Sequence, residues 1–130
     1  MLGVTGVAAI SYDRRAPVIF SEGEIMPRVV VGGTRVTVRW TVDWRRHCEG
    51  ELSRQVVGKD QVIRAYRKRA LRVPVNLGRQ VSDTIFTVAK GLPAGPVLYE
   101  GIIRFPNCGV TSRQWPIEVR VPALNFVVGP

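Results

Sequence analysis

An all-β sandwich or barrel is the fold class that this 130-residue sequence predicts, from three observations. Apolar and polar residues alternate with a period of two through most of the chain, the period of a half-buried strand. Clusters of Gly, Pro, Asn and Asp separate the alternating stretches at the short spacings of an antiparallel fold. A single stretch carries helical spacing, so there is no strand–helix alternation to suggest a parallel sheet.

Residues 34–46, TRVTVRWTVDWRR, show the alternation most fully. Val36, Val38, Trp40, Val42 and Trp44 fall on one side, and Arg35, Thr37, Arg39, Thr41, Asp43 and Arg45 on the other. Residues 97–105 set Val97, Tyr99, Gly101, Ile103 and Phe105 against Glu100 and Arg104. Trp115, Ile117, Val119 and Val121 alternate with Glu118 and Arg120, and Leu124, Phe126 and Val128 resume the pattern after Pro122. Shorter candidates are 17–20, 28–31, 51–57 and 81–89, which brings the expected total to seven to nine strands. Turns fall at Gly32-Gly33, 58–60, 76–78, 91–96 and Pro106-Asn107. Ser21-Glu22-Gly23-Glu24 is expected to be a solvated turn. Trp40, Trp44 and Trp115, all on apolar faces, are expected in the core, and Trp40→Ala is expected to be costly.

Residues 59–73 depart from the pattern. Val62, Tyr66, Ala70 and Val73 lie at helical spacings with Asp60 available as N-cap, which makes a basic amphipathic helix against a membrane or nucleic acid one reading. The other is an extended basic edge of Arg64, Arg67, Lys68, Arg69 and Arg72, since cations on an edge strand discourage pairing between molecules. Pro74 ends the stretch abruptly and its neighbours are strand-like, so the extended edge is expected.

The length suits one domain, placed at 16–130, after an N-terminal arm at 1–15. Residues 2–12 are uncharged, yet fall short of the roughly 20 apolar residues of a membrane span. They read as a short arm or edge strand, and a missing upstream anchor would place the protein at the cell envelope. A hydrophobic content of 45% with 22% charged residues is that of a globular chain. The net charge of +9 rests on sixteen Arg and three Lys, and it favours acidic partners: nucleic acid, an anionic membrane or an acidic protein surface.

Catalytic chemistry has little to stand on. His47, the only histidine, adjoins Cys48, so on an extended strand the two point to opposite faces and cannot form a dyad. One His and two Cys are too few for tetrahedral zinc unless carboxylates help. Gly32-Gly33 lacks the Gly-Lys-Ser/Thr of a phosphate loop. No enzymatic activity, cofactor or metal is expected. Single-strand nucleic-acid binders stack bases on exposed aromatics, whereas Trp40, Trp44, Tyr99, Phe105, Trp115 and Phe126 all lie on apolar faces.

The order of these features resembles an immunoglobulin-like β-sandwich over roughly residues 16–128. Residues 34–46 are similar to strand B, 51–57 to C, 81–89 to E, 97–105 to F, and the last two stretches to a broken G strand. Residues 92–99, LPAGPVLY, are similar to the E–F corner, where a Tyr hydroxyl returns to the backbone, and Tyr99 is the matching residue. The chain departs from the antibody pattern, because Cys108 follows Tyr99 by nine residues instead of two and no Trp follows Cys48 on the C candidate. The resemblance implies that strands B and F lie in opposite sheets with their C-terminal ends at one pole. Cys48 and Cys108 sit just past those ends. A disulfide there would contribute about 4 kcal/mol on the chain-entropy model, and two free thiols in a reducing compartment are the alternative.

More distantly, the chain is similar to small immunoglobulin-like proteins of bacteriophages and their proteobacterial hosts, through Trp44-Arg45-Arg46-His47-Cys48 and a Cys108 that precedes Trp115-Pro116-Ile117. That similarity implies a virion accessory or decoration protein that docks on a larger protein assembly, a capsid or tail, through a basic face and the N-terminal arm; Arg35, Arg39 and Arg45, the wet side of their strand, are the candidate face for an acidic surface. The alternatives are an envelope-associated, periplasmic or secreted binding module, and a basic nucleic-acid-binding protein.

Overall fold

A computed structural model of the chain describes residues 15–108 and 115–130. Among them are nine strands and no helix: β1 (Val18–Met26), β2 (Val29–Val30), β3 (Arg35–Trp44), β4 (Gly50–Val57), β5 (Ile63–Ala65), β6 (Arg69–Leu71), β7 (Gly78–Thr87), β8 (Gly95–Phe105) and β9 (Ile117–Val128). They form a β-sandwich. The smaller sheet has the order β1-β3-β7, and the larger β2-β9-β8-β4-β5, with β6 also on β4. The expected arm falls on residues 1–14, outside those described.

The alternating stretches place their apolar sides between the sheets. Val36, Val38, Trp40 and Val42 of β3 share one buried cluster with Leu52 and Val56 of β4, Tyr99, Ile103 and Phe105 of β8, and Val121 and Phe126 of β9. Phe86 of β7 lies among aromatic rings, stacked on Tyr99 at 5.1 Å and tilted against Phe126 at 5.8 Å. Phe20 meets Trp40 edge-on at 5.1 Å. Gly23 lies opposite Trp40 across the β1–β3 ladder, and any Cβ there would overlap the indole.

Four expectations are corrected. Residues 21–24 are not a turn but the middle of β1, where an irregularity at Ser21 shifts the register between Phe20 and Glu22. The extra residue breaks the period of two, and Gly23 has no side chain to signal its inward direction. The last two stretches are not a broken strand either. β9 pairs with β8 from Phe105↔Ile117 to Gly95↔Val128, with a register shift between Tyr99 and Gly101 that accommodates Pro122, which cannot donate to a ladder. The strands pair antiparallel as expected, save the two-residue β2, which runs parallel to β9. Trp115 is not core but 62% exposed. It precedes Pro116, and the strand that would have turned it inward begins only at Ile117, which is buried. Trp44 is half-buried at the end of β3, edge-on to Phe105 at 6.2 Å.

Residues 62–73 are extended. β5 and β6 pair with the two ends of β4, so the segment forms an edge of the larger sheet instead of a helix.

Candidate binding groove and basic edge

β4 turns Leu52, Arg54 and Val56 toward the smaller sheet and Glu51, Ser53 and Gln55 outward. A groove of about 500 Å³ lies on this face, within the range of small-molecule sites. Ser53 and Gln55 share it with Glu100 and Ile102 of β8. Its other lining comes from Ala65, Tyr66 and Lys68 at the β5–β6 connection, and from Arg120, Val121 and Ala123 around the β9 irregularity. Gln55 Nε2 donates to Glu100 Oε1 at 2.6 Å, which fixes the carboxylate. Lys68 lies 3.6 Å from Glu51, and Arg120 has no ion pair among the described residues. The groove therefore offers cations at Lys68 and Arg120, and hydrogen-bonding groups from Ser53 and Gln55.

Arg54 occupies an inward position between two apolar neighbours. Its guanidinium carbon is 5.5 Å from the centre of the Tyr66 ring, and Nη1 donates to the Ile85 carbonyl at 3.4 Å, while Nε is buried with no hydrogen-bond partner among the described residues. A cation over an aromatic face is stabilised by the ring quadrupole, which replaces part of the lost hydration. The Tyr66 hydroxyl donates to the Thr87 carbonyl at 3.1 Å. Arg54 and Tyr66 thus lace the larger sheet to β7 of the smaller. Burial raises the Tyr66 and Tyr99 phenols above their usual value, and the Arg54 charge offsets part of the rise. Tyr99 lies in β8, opposite Val56 and Leu124, with its phenol against Arg54.

Arg35, Arg39 and Arg45 are exposed on the outer side of β3, and two of them are paired with carboxylates. Arg39 Nε and Nη2 donate to the two carboxylate oxygens of Asp83 at 2.9 and 3.0 Å. That bond raises the Arg39 pKa and lowers that of Asp83. Arg45 Nε donates to Asp43 at 2.8 Å. Glu24 and Glu22 of β1 stand beside Arg39 and Thr41 in the ladder. Asp83 of the neighbouring β7, invisible in the single-strand pattern, thus offsets Arg39, and Asp43 of β3 itself offsets Arg45. The basic edge keeps more of its charge. Arg64 is paired with Asp60 at 3.0 Å, and this bond lowers the Asp60 pKa, whereas Arg67, Arg69 and Arg72 are exposed and have no carboxylate partner among the described residues.

Cys48 and Cys108 form a disulfide between buried residues beyond the ends of β3 and β8, with Cα atoms 5.5 Å apart. His47 points its Nδ1 at the Pro74 carbonyl, 3.0 Å away. Among the described residues no cluster of His, Cys, Asp and Glu could hold a metal ion, and no helix is long and apolar enough to cross a membrane. Arg54, Tyr66 and Arg120 were not singled out as site residues from the sequence. A signal did exist for the first, since a charge between Leu52 and Val56 breaks the apolar side of its strand.

Fold and surface together define a disulfide-bridged β-sandwich with a groove on its larger sheet and a basic edge. No protein-family model matches the chain, and no curated protein matches it in sequence. In structure it is similar to the alkylpurine DNA glycosylase AlkC of Pseudomonas fluorescens, bound to DNA containing an abasic-site analogue, with a TM-score of 0.57 and 10% identity. That match covers 95% of this chain and 35% of the glycosylase, so the chain spans about a third of that enzyme's length. A Niemann-Pick type C2 protein of the Japanese carpenter ant matches with a TM-score of 0.49 and 13% identity, over 87% of this chain and 92% of that one. A sporulation control protein of Bacillus subtilis matches with a TM-score of 0.47 and 14% identity, over 88% of this chain and 50% of its own. The glycosylase likeness shows a shared fold.

Proposed function

We propose that this protein is a non-enzymatic, immunoglobulin-like interaction module that docks on an acidic surface of a larger protein assembly through β5, β6 and the groove beside them. The observation that carries the reading is the uneven neutralisation of its charge. Arg39 and Arg45 are tied to carboxylates on the smaller sheet, while Arg67, Arg69, Arg72 and Arg120 have none among the described residues. The separation of β1, β3 and β7 from β4, β8 and β9 supports the immunoglobulin-like assignment. A phage virion is the setting proposed, on the resemblance of residues 44–48 and 108–117 to phage proteins.

A second reading, a nucleic-acid-binding module, is favoured by the same unpaired cations and by the DNA bound to the structurally similar glycosylase. Salt separates the two. Phosphate contacts release condensed counterions, so DNA affinity falls steeply with salt, whereas a protein interface draws much of its energy from apolar burial. Co-sedimentation of the parent and an Arg67→Glu/Arg69→Glu/Arg72→Glu variant with phage particles and with DNA, across a salt series, tests both. The expected result is particle association that persists at physiological salt and is lost in the variant, beside DNA binding that fades there. Salt-resistant DNA binding would establish the second reading, and no association with particles would sink the virion setting.

A further inference from the structure

β7 differs from the other sheet edges. The β1 edge carries the Ser21 irregularity, the β5–β6 edge is split and charged, and β9 is interrupted at Pro122 and covered at its end by β2. These are the devices by which proteins blunt exposed edges. β7 runs ten residues with unbroken register against β3, from Arg35↔Thr87 to Trp44↔Gly78. The carbonyls of Ile85 and Thr87 receive Arg54 and Tyr66 from the side away from β3. Hydrogen-bonding direction alternates along an antiparallel strand, so the N–H and C=O groups of Arg79, Val81 and Asp83 also point away from β3. Nothing among the described residues occupies them.

The outward side chains of this edge are complementary to themselves. We infer that two copies of the chain pair through β7, antiparallel, with Val81 on the two-fold axis. In that register Arg79 of each copy faces Asp83 of the other, Val81 faces Val81, and Leu77 faces Ile85. Val81 is 65% and Ile85 53% exposed in the single chain. Arg79 has no ion pair among the described residues, and Asp83, already bonded to Arg39, retains lone pairs for a second guanidinium. Three residue pairs, 79 with 83, 81 with 81 and 83 with 79, each exchange two backbone hydrogen bonds. The Arg54 and Tyr66 bonds close the edge beyond Asp83, and Gly78, at a φ of 107°, ends it on the other side. The product is one continuous sheet, β1-β3-β7-β7-β3-β1, joined by an isologous contact.

Sedimentation equilibrium at physiological salt, where a Debye length of about 8 Å screens the net charge, tests the inference. The parent is expected to dimerise. Val81→Pro removes an N–H that β3 does not use, so the domain stays folded while self-association weakens by about a hundredfold or more. Arg79→Asp and Asp83→Arg are each expected to be monomeric, because like charges then face each other at both ends of the contact. An equimolar mixture of these two variants restores opposite charges at both ends and is expected to form a heterodimer. A parent that stays monomeric up to about 1 mM, a Val81→Pro variant that dimerises as well as the parent, or a mixture that stays monomeric would overturn the proposal.

Discussion

Trp40 and Trp115 are separated by what surrounds them. Trp40 is 6% exposed, held edge-on by Phe20 and seated over the bare backbone of Gly23, whereas Trp115 stands in solvent ahead of the first residue of β9. Trp40→Ala should therefore destabilise the domain by about 3 to 5 kcal/mol. Trp115→Ala should stay within about 0.5 kcal/mol of the parent. Urea denaturation followed by circular dichroism measures both, and equal losses would contradict the placement of one indole. The phenols of Tyr66 and Tyr99 make a second prediction. Burial raises both above the ordinary value of 10.0, so the unfolded chain loses these protons first as pH rises. Their contribution is fully present below about pH 10 and is lost as pH climbs through the folded values. Thermal melts should fall in that alkaline window, and Tyr66→Phe should flatten part of the fall.

At the scale of elements, the sandwich is tied where its two sheets would otherwise separate. Cys48 follows β3 of the smaller sheet and Cys108 follows β8 of the larger, so their bond fastens the sheets at one pole. Arg54 and Tyr66 fasten β4 and the β5–β6 connection to β7 along one side. A sequence separation of 60 residues sets the disulfide contribution at about 4 kcal/mol on the chain-entropy model. The Cys48→Ala/Cys108→Ala variant should be less stable by about that amount, and a reductant should lower the melting temperature of the parent but not of the variant. A parent indifferent to reductant would show that the bond is not formed in solution.

Across the whole molecule, the net charge of +9 is unevenly offset: Arg39 and Arg45 of the smaller sheet are paired with carboxylates, and the β5–β6 edge is less so. Counterion release turns this distribution into a measurable slope. Replacing Arg67, Arg69 and Arg72 by Ala should reduce the dependence of residual DNA binding on salt by about one logarithmic unit per residue that touches phosphate. Replacing Arg39 should leave the slope unchanged, since Asp83 already holds its charge. A slope that responds to Arg39 as strongly as to the edge residues would mean that the smaller sheet meets the DNA.

The sequence by itself determined where strands form and which way most of them face. A period of two is a local property, and in β3, β4 and β8 the apolar side it marks is the buried side. Pro74 and the strand-like neighbours of residues 62–73 likewise sufficed to place an extended edge there. Only the tertiary structure decided what depends on distant partners. Asp83 lies 44 residues from Arg39, so that pairing could not be read from the arginine's own strand, whereas Asp43, the partner of Arg45, stands two residues away. Local irregularities at Ser21 and beside Pro122 are fixed by the strands opposite them, which is why residues 21–24 resemble a turn and β9 resembles two strands. The groove is assembled from four separate segments of the chain. Alternation reports the direction of a side chain, and the chemistry of a surface depends on what the neighbouring strands set beside it.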